Sequence, residues 1–359
     1  CAPAWAKRPN IVVLLADDWG YSDVGAFGSE INTPHLNQLA QSGTRFSNFH
    51  VSASCSPTRS MLLTGVDNHL NGVGNMRETI PQSHVGRAGY LSVLNQRVVT
   101  VASLLQDHGY RTYAAGKWHV TPGDTAAALT NQKNWPLQRG FDRFYGTIHG
   151  AGSFWDPSAL VRDNTLITAA NDTEYRPSED YYYTDALSDH AAKFIREHKR
   201  DQTGKPFLLY VPYTAAHWPM HARERDIAKY KGRYDGGYTP VRAARWEKQK
   251  QLGVADAAWG LAPQTGEWDK VKNKEFEIRC MEVYAAMLTV MDEGIGRIVA
   301  ELKATGQYEN TVICYLQDNG GNAETNGRVG EFTPRAAAPS LPPMAKDVQQ
   351  LSSRPNQTR

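Results

Sequence analysis

The sequence has few cysteines, no long hydrophobic run and no excess of one charge. Its 359 residues include four cysteines, whose spacing fits neither a metal-ligand motif nor a disulfide scaffold. The longest aliphatic run, residues 11–16, is far too short for a membrane crossing, which takes roughly 20 apolar residues. Lysines and arginines number 39 against 37 aspartates and glutamates, without a basic cluster, so a nucleic acid is not an expected partner.

What the sequence does contain is an alternation of apolar, β-rich runs with helical patterns. This alternation is typical of an α/β fold with a mostly parallel central sheet flanked by helices. The strands are predicted over residues 10–16, 44–51, 110–119, 207–213 and 311–317. The helices are predicted over residues 34–42, 55–64, 100–108, 184–199 and 276–305, with Thr33 as the N-cap of the first.

Polar side chains follow three of these strands. Asp17 and Asp18 follow the first strand, residues 214–217 follow the fourth, and Asp318 and Asn319 follow the last. Ligands of open α/β sheets bind beyond the carboxyl ends of the strands. We therefore expect these residues to meet at one edge of the sheet.

Three stretches show no clear periodicity. Residues 121–183 and 218–272 are polar and aromatic and are predicted to be long excursions over the sheet edge. Residues 336–359 are rich in proline and are predicted to be loop or disorder, which leaves residues 9–335 as one α/β domain. Because such a tail does not suit the end of a sheet protein, we expect this chain to be cut within a longer protein.

Residues 54–65 read SCSPTRSMLLTG and predict a short helix with Cys55 near its N-terminus. Pro57 suits the first turn of a helix, and Gly65 suits its end. Arg59 lies one turn after Cys55 on the same face. The N–H groups at a helix N-terminus favour an anion and lower the pKa of a thiol. The stretch therefore predicts an oxyanion site, whereas the simpler interpretation is a buried structural cysteine.

This stretch resembles the first signature of the sulfatase family, Cys-x-Pro-Ser/Thr-Arg followed by Leu-Thr-Gly. Residues 109–119, GYRTYAAGKWH, resemble the second signature, and the paired aspartates and the later DNGG are further family features. The resemblance extends over roughly residues 9–335 and is strongest to bacterial arylsulfatases. It implies the fold of the alkaline-phosphatase superfamily, in which a smaller C-terminal domain follows the large α/β domain. We expect that smaller domain to be absent here.

The resemblance implies a modified nucleophile. In this family a separate maturase oxidises the cysteine of Cys-x-Pro-x-Arg, here Cys55, to Cα-formylglycine. One hydroxyl of the hydrated aldehyde attacks sulfur, and the other then loses its proton, so that sulfate is expelled and the aldehyde returns. Covalent catalysis of this kind divides one difficult step into two easier ones.

The resemblance also implies a metal site. Asp17, Asp18, Asp318 and Asn319 offer hard oxygen ligands, which together with residue 55 suit Ca²⁺, with Mg²⁺ as the alternative. The other interpretation of these side chains is that they cap neighbouring helices.

Further residues receive roles from the family pattern. Lys117 and His119 lie two apart on a predicted strand and so share one face. By resemblance, Lys117 binds the sulfate and His119 orients or deprotonates the nucleophile. Arg59 holds the formylglycine and compensates charge at the metal site. His217 binds the sulfate and protonates the leaving group, although His221 lies only four residues away.

The expected activity is the hydrolysis of an aryl or related sulfate ester, whose organic part is a small molecule or a carbohydrate. The alternative is a phosphonate or phosphate monoester hydrolase of the same superfamily. An inactive fragment is the third hypothesis, because relatives carry a further sulfate-binding lysine downstream and Lys346 lacks its sequence context. A start at Cys1 rather than at methionine favours a periplasmic or secreted protein over a cytoplasmic one.

Overall fold

The computed structural model describes residues 8–202 and 204–322, in which seven strands form one sheet. The strands are β1 (Asn10–Ala16), β2 (Arg111–Ala115), β3 (Arg143–Thr147), β4 (Leu160–Arg162), β5 (Thr165–Leu166), β6 (Phe207–Pro212) and β7 (Thr311–Gln317). Their order across the sheet is β5-β4-β3-β2-β6-β1-β7. Neighbours are parallel except for the antiparallel pairs β3-β4 and β4-β5 at one edge. The predicted α/β class with a mostly parallel sheet is thereby confirmed.

The same residues form helices that flank this sheet. They are α1 (Pro34–Ser42), α2 (Cys55–Thr64), α3 (Asn68–Asn71), α4 (Val101–Asp107), α5 (Ala126–Leu129), α6 (Tyr183–Arg200), α7 (Glu224–Ile227), α8 (Tyr238–Gln251) and α9 (Lys274–Ala304). None of the helices in this part of the chain combines the length and the apolar character that a membrane crossing requires.

Strand β1 is buried on both faces, which explains its uninterrupted apolar run. Val12, Leu14 and Ala16 belong to a core that includes the apolar faces of α6 and α9. Leu15 points to the opposite side, into a second core that includes Leu63 of α2. Because helices cover both faces, the carboxyl edge of the sheet is where polar side chains can gather.

The predicted strand over residues 44–51 is wrong. The segment forms no strand, and Phe46 and Phe49 are 69% and 60% exposed. The aromatic residues give the segment a strand-like composition, but its backbone runs over the surface towards α2 and pairs with no strand among the described residues.

The two predicted excursions contain more regular structure than expected. Residues 121–183 contribute β3, β4 and β5, which are only two to five residues long and so leave little alternation to detect. Residues 218–272 include the 14-residue helix α8, in which no residue is buried, so it has no apolar stripe to mark it. The proline-rich tail, residues 336–359, lies outside the described residues.

The N-terminus of α1 is capped from a distant helix rather than by Thr33. The Thr33 hydroxyl accepts a hydrogen bond from the N–H of Gly25 at 2.9 Å instead. The buried carboxylate of Asp292, on α9, accepts from the N–H groups of His35 at 3.0 Å and Leu36 at 2.8 Å. An acidic side chain at this position satisfies two helix N–H groups and complements the helix dipole.

We predict that Asp292→Ala lowers the free energy of unfolding by about 1–3 kcal/mol, because it leaves buried N–H groups without an acceptor. Equilibrium unfolding in urea measures the difference. The neighbouring Glu293 contacts Lys229 at the surface, so Glu293→Ala is the matched control and should change the value by less than about 1 kcal/mol. Equal effects of the two substitutions would contradict the capping role.

Candidate active site

The carboxyl ends of four adjacent strands, in the order β2-β6-β1-β7, carry the residues that the sequence singled out. Backbone hydrogen bonds continue past the strand ends, from the N–H of Asp17 to Ala215 at 3.1 Å and from the N–H of Lys117 to Pro212 at 2.7 Å. These bonds hold neighbouring loops in register. The sheet therefore brings together side chains that are far apart in sequence, such as Asp18 and Asn319, which are separated by 301 positions.

Lys117 and His119 reach the site from a loop rather than from a strand. Strand β2 ends at Ala115, and Gly116 follows with φ 150°. A Cβ on Gly116 would lie 2.0 Å from the carbonyl oxygen of Pro212, so only glycine allows this close approach. Lys117 and His119 still point to the site and Trp118 away from it, as predicted, but the reason is this turn and not strand alternation.

Cys55 is the first residue of α2 and is 3% exposed. Its Sγ lies 3.3 Å from Nδ1 of His119 and 3.3 Å from the sulfur of Met76. Burial raises the pKa of the Cys55 thiol to about 12, and the ammonium of Lys117 offsets only part of this effect. The expectation of a lowered thiol pKa is therefore wrong, because desolvation outweighs the helix N-terminus.

Two buried cations lie between two buried carboxylates next to Cys55. Nζ of Lys117 is 2.6 Å from Oδ2 of Asp17, and Nε of Arg59 is 2.8 Å from Oδ2 of Asp318. Nη2 of Arg59 also lies 3.4 Å from Oδ2 of Asp17, and all four side chains are fully buried. Arg59 thus links both carboxylates, on the helix face that the sequence predicted.

The two carboxylates have opposite pKa shifts. Burial alone would raise the pKa of Asp17, but Lys117 and Arg59 outweigh burial and bring it to about 2. Burial raises the pKa of Asp318 to about 7, and repulsion by Asp17 adds to the effect. Of the two carboxylates, Asp318 is therefore the one whose charged form an additional cation would stabilise more.

The donor set fits a hard divalent cation. Ligand atoms of Asp17, Cys55 and Asp318 lie within 4.8 Å of one another. Oδ1 of Asp17 and Oδ1 of Asp318 are buried, and neither has a hydrogen-bond partner among the described residues. Unsatisfied oxygens on two neighbouring buried carboxylates suit Ca²⁺. The thiol is the one unsuitable donor, and conversion to formylglycine would replace its sulfur with oxygen.

Asp18 and Asn319 lie beside this triad. Nδ2 of Asn319 donates to Oδ1 of Asp18 at 2.6 Å, and Asn322 donates to Oδ2 of Asp18 at 3.2 Å. Nε2 of His217 lies 3.9 Å from Oδ2 of Asp18. His221, by contrast, packs between aromatic rings and contacts the N–H of Phe154, so of the two histidines His217 is the one that faces the site.

The structure adds residues that no sequence motif marks. Oε1 of Glu78 lies 3.4 Å from Nε2 of His119 and 4.0 Å from Nδ1 of His149. Met76 contacts Cys55, as described above. Glu78 lies in a single 3₁₀ turn, Arg77–Thr79, which Met76 precedes, and His149 follows the short strand β3. Only their place in the fold shows that they border the site.

The chain belongs to the sulfatase family. The family model described as Sulfatase matches residues 9–340. An uncharacterized sulfatase of Schizosaccharomyces pombe is 39% identical over 334 residues, which cover 88% of this chain and 58% of that protein. An arylsulfatase of Klebsiella aerogenes is 35% identical over 341 residues, which cover 92% of this chain and 70% of that protein.

A solved structure shows the same relationship. The crystal structure of Ps i-CgsB in complex with k-i-k-neocarrahexaose matches 88% of this chain with a TM-score of 0.59 and 28% identity. The match covers 59% of that chain. This sequence therefore spans 58–70% of the length of these three relatives.

We predict that Asp318→Ala weakens Ca²⁺ binding by at least about tenfold, because it removes one of the two unsatisfied oxygens. Calorimetric titration of the metal-free protein measures the affinity. The substitution also removes one partner of Arg59, which keeps its contact with Asp17, so circular dichroism is used to check that the metal-free variant is folded. Asp201, exposed at the end of α6, gives the control Asp201→Ala, which should bind Ca²⁺ like the parent. Unchanged Ca²⁺ affinity in Asp318→Ala would contradict the ligand assignment.

Proposed function

We propose that this chain hydrolyses sulfate esters with Cα-formylglycine at position 55 and a bound Ca²⁺. The observation that carries the proposal is the buried arrangement of Asp17, Arg59, Lys117 and Asp318 around Cys55. Removing two cations and two carboxylates from water costs free energy that their pairing does not fully return. Their burial is therefore better explained by binding of a ligand than by stability. An oxyanion beside a divalent cation is a ligand that such a site suits.

Asp17, Asp18, Asp318 and Asn319 would hold the Ca²⁺, together with residue 55. The ion would neutralise the carboxylates and polarise a sulfate oxygen. In the present arrangement Asn319 donates to Asp18, so its carbonyl oxygen becomes a ligand only when the amide is rotated. Arg59 keeps Asp17 and Asp318 in place through the contacts that it makes with both.

Lys117 and His119 would act on either side of the nucleophile. The buried ammonium of Lys117 supplies positive charge for a sulfate oxygen, in a site where water does not screen it. Formylglycine, when hydrated, would supply the attacking hydroxyl. Burial lowers the pKa of His119 to about 4, and Lys117 adds to the effect, so the ring is neutral and Nδ1 can accept a proton from that hydroxyl.

His217 would protonate the leaving group. Its Nδ1 lies 2.7 Å from the carbonyl oxygen of Trp218, which makes Nδ1 the protonated nitrogen and leaves Nε2 facing Asp18 and the site. Protonated Nε2 could then donate to the oxygen of a departing alcohol or phenol.

Two relatives support the proposed substrate class. One curated relative is named an arylsulfatase, and the similar protein Ps i-CgsB was crystallised in complex with k-i-k-neocarrahexaose. We therefore propose an aryl or carbohydrate sulfate ester as the substrate and a formylglycine-generating maturase as a partner during biosynthesis. A periplasmic or secreted location stays a prediction from the sequence.

We predict that co-expression with a maturase converts Cys55. The peptide that contains residue 55 should lose one sulfur and two hydrogens and gain one oxygen in its mass spectrum. The converted protein should release sulfate from nitrophenyl sulfate faster than it releases phosphate from nitrophenyl phosphate. Cys55→Ala should abolish both the mass change and the sulfate release, whereas Cys314→Ala, at an exposed cysteine of β7, should retain them.

Two outcomes would contradict this proposal. Faster turnover of the phosphate ester would favour the phosphate or phosphonate monoester hydrolase. Complete conversion of Cys55 without sulfate release would mean that this chain, at its present length, is the inactive fragment of the third hypothesis.

A further inference from the structure

The ring of His119 is held on three sides. Cys55 lies at Nδ1, Glu78 lies at Nε2, and Gly150 lies beneath the ring. Because β2 has already ended, His119 stands in a loop with φ 54°, so no strand neighbour fixes its side chain. The orientation of the ring must therefore come from these contacts.

We propose that Glu78 is a positioning residue that keeps His119 protonated on Nε2 and directs the Nδ1 lone pair at residue 55. Oε1 of Glu78 lies 3.4 Å from Nε2, at the long end of a hydrogen bond and longer than a typical charge-assisted one. An imidazole that donates from one nitrogen to a carboxylate presents the other nitrogen as an acceptor. The S–H of Cys55, at 3.3 Å from Nδ1, is the matching donor.

Glu78 is available for this role as an anion. The neighbouring Arg77 pairs with Asp124 at 3.2 Å. Although burial alone would raise the pKa of Glu78, its contacts with His119 hold that pKa well below the usual range. His149, at 4.0 Å from the same oxygen, is the other ring that faces Glu78. The carboxylate thus lies between two histidines, of which only His119 reaches residue 55.

Gly150 fixes the plane of the ring. A Cβ at this position would lie 2.3 Å from Cε1 and 2.4 Å from Nε2 of His119, so a side chain there would push the ring away from Glu78. The constraint is the close approach, since φ of Gly150 is not positive. Gly152, two residues further along, has no atom nearer than 3.5 Å to the same hypothetical Cβ.

The consequence for turnover rests on the proposed function, whereas the protonation state of the ring does not. If His119 accepts a proton from the nucleophile, a ring protonated on Nδ1 presents a donor where an acceptor is needed. A residue that orients a catalytic group through a hydrogen bond typically contributes about 10–100-fold to activity. Because Glu78 acts through His119 in this proposal, Glu78→Ala should lower kcat by about 10–100-fold and leave KM nearly unchanged.

The test is nitrogen NMR of the full chain labelled with ¹⁵N-histidine, with Cys55 unmodified. The His119 signals are assigned by their loss in His119→Gln. The parent should show His119 protonated on Nε2 alone. Glu78→Ala should shift His119 towards the Nδ1-protonated form, and Glu78→Gln, whose amide oxygen still accepts, should restore the Nε2-protonated form. Gly150→Ala should perturb the same signals, and the matched control Gly152→Ala should not.

Several results would overturn this inference. One is a parent protein with His119 protonated on Nδ1, and another is a Glu78→Ala spectrum identical to that of the parent. Equal effects of Gly150→Ala and Gly152→Ala would also count against it. None of these results depends on sulfate release. If instead the NMR result holds and sulfate release is absent, the positioning role stands and the proposed function fails.

Discussion

The interaction on which the rest of the site depends is the contact of Arg59 with two buried carboxylates. Asp17 and Asp318 directly follow adjacent strands, and their charges repel each other because both side chains are fully buried. Burying like charges is costly unless a cation is placed between them. Arg59 supplies that cation from α2, the helix that begins with Cys55. The ion pairs that compensate the buried negative charges therefore also fix the position of residue 55 relative to the sheet.

This arrangement compensates the carboxylates only in part. Lys117 and Arg59 bind Oδ2 of Asp17 and Asp318, and both Oδ1 atoms keep no hydrogen-bond partner in the described chain. The raised pKa of Asp318 has the same physical origin, because burial and Asp17 together favour its neutral form. A divalent cation beside the two Oδ1 atoms would remove both effects at once. The same two aspartates thus hold Arg59 and Lys117 in place through Oδ2 and offer Oδ1 to a metal ion.

The sequence predicts those parts of the molecule that have a clear apolar pattern or a recognisable motif. Strands β1, β6 and β7 are visible as apolar runs with polar ends, although β7, at the edge of the sheet, contains no buried residue. The two signatures place Cys55, Arg59, Lys117 and His119. Short or exposed elements such as β5 and α8 lack periodicity and escape prediction. The raised thiol pKa of Cys55, the capping of α1 by Asp292 and the contact of Glu78 with His119 could not be predicted either. Each depends on packing between residues that are distant in sequence.

A crystal structure of the protein grown with Ca²⁺ tests the metal site most directly. We expect one ion bound by Oδ1 of Asp17 and Oδ1 of Asp318 at about 2.3–2.6 Å, the distance typical of Ca²⁺ and carboxylate oxygens. Oδ2 of each aspartate should stay with Lys117 or Arg59. An ion bound elsewhere, or a site in which both Oδ1 atoms contact protein groups only, would show that the two aspartates are not the ligands.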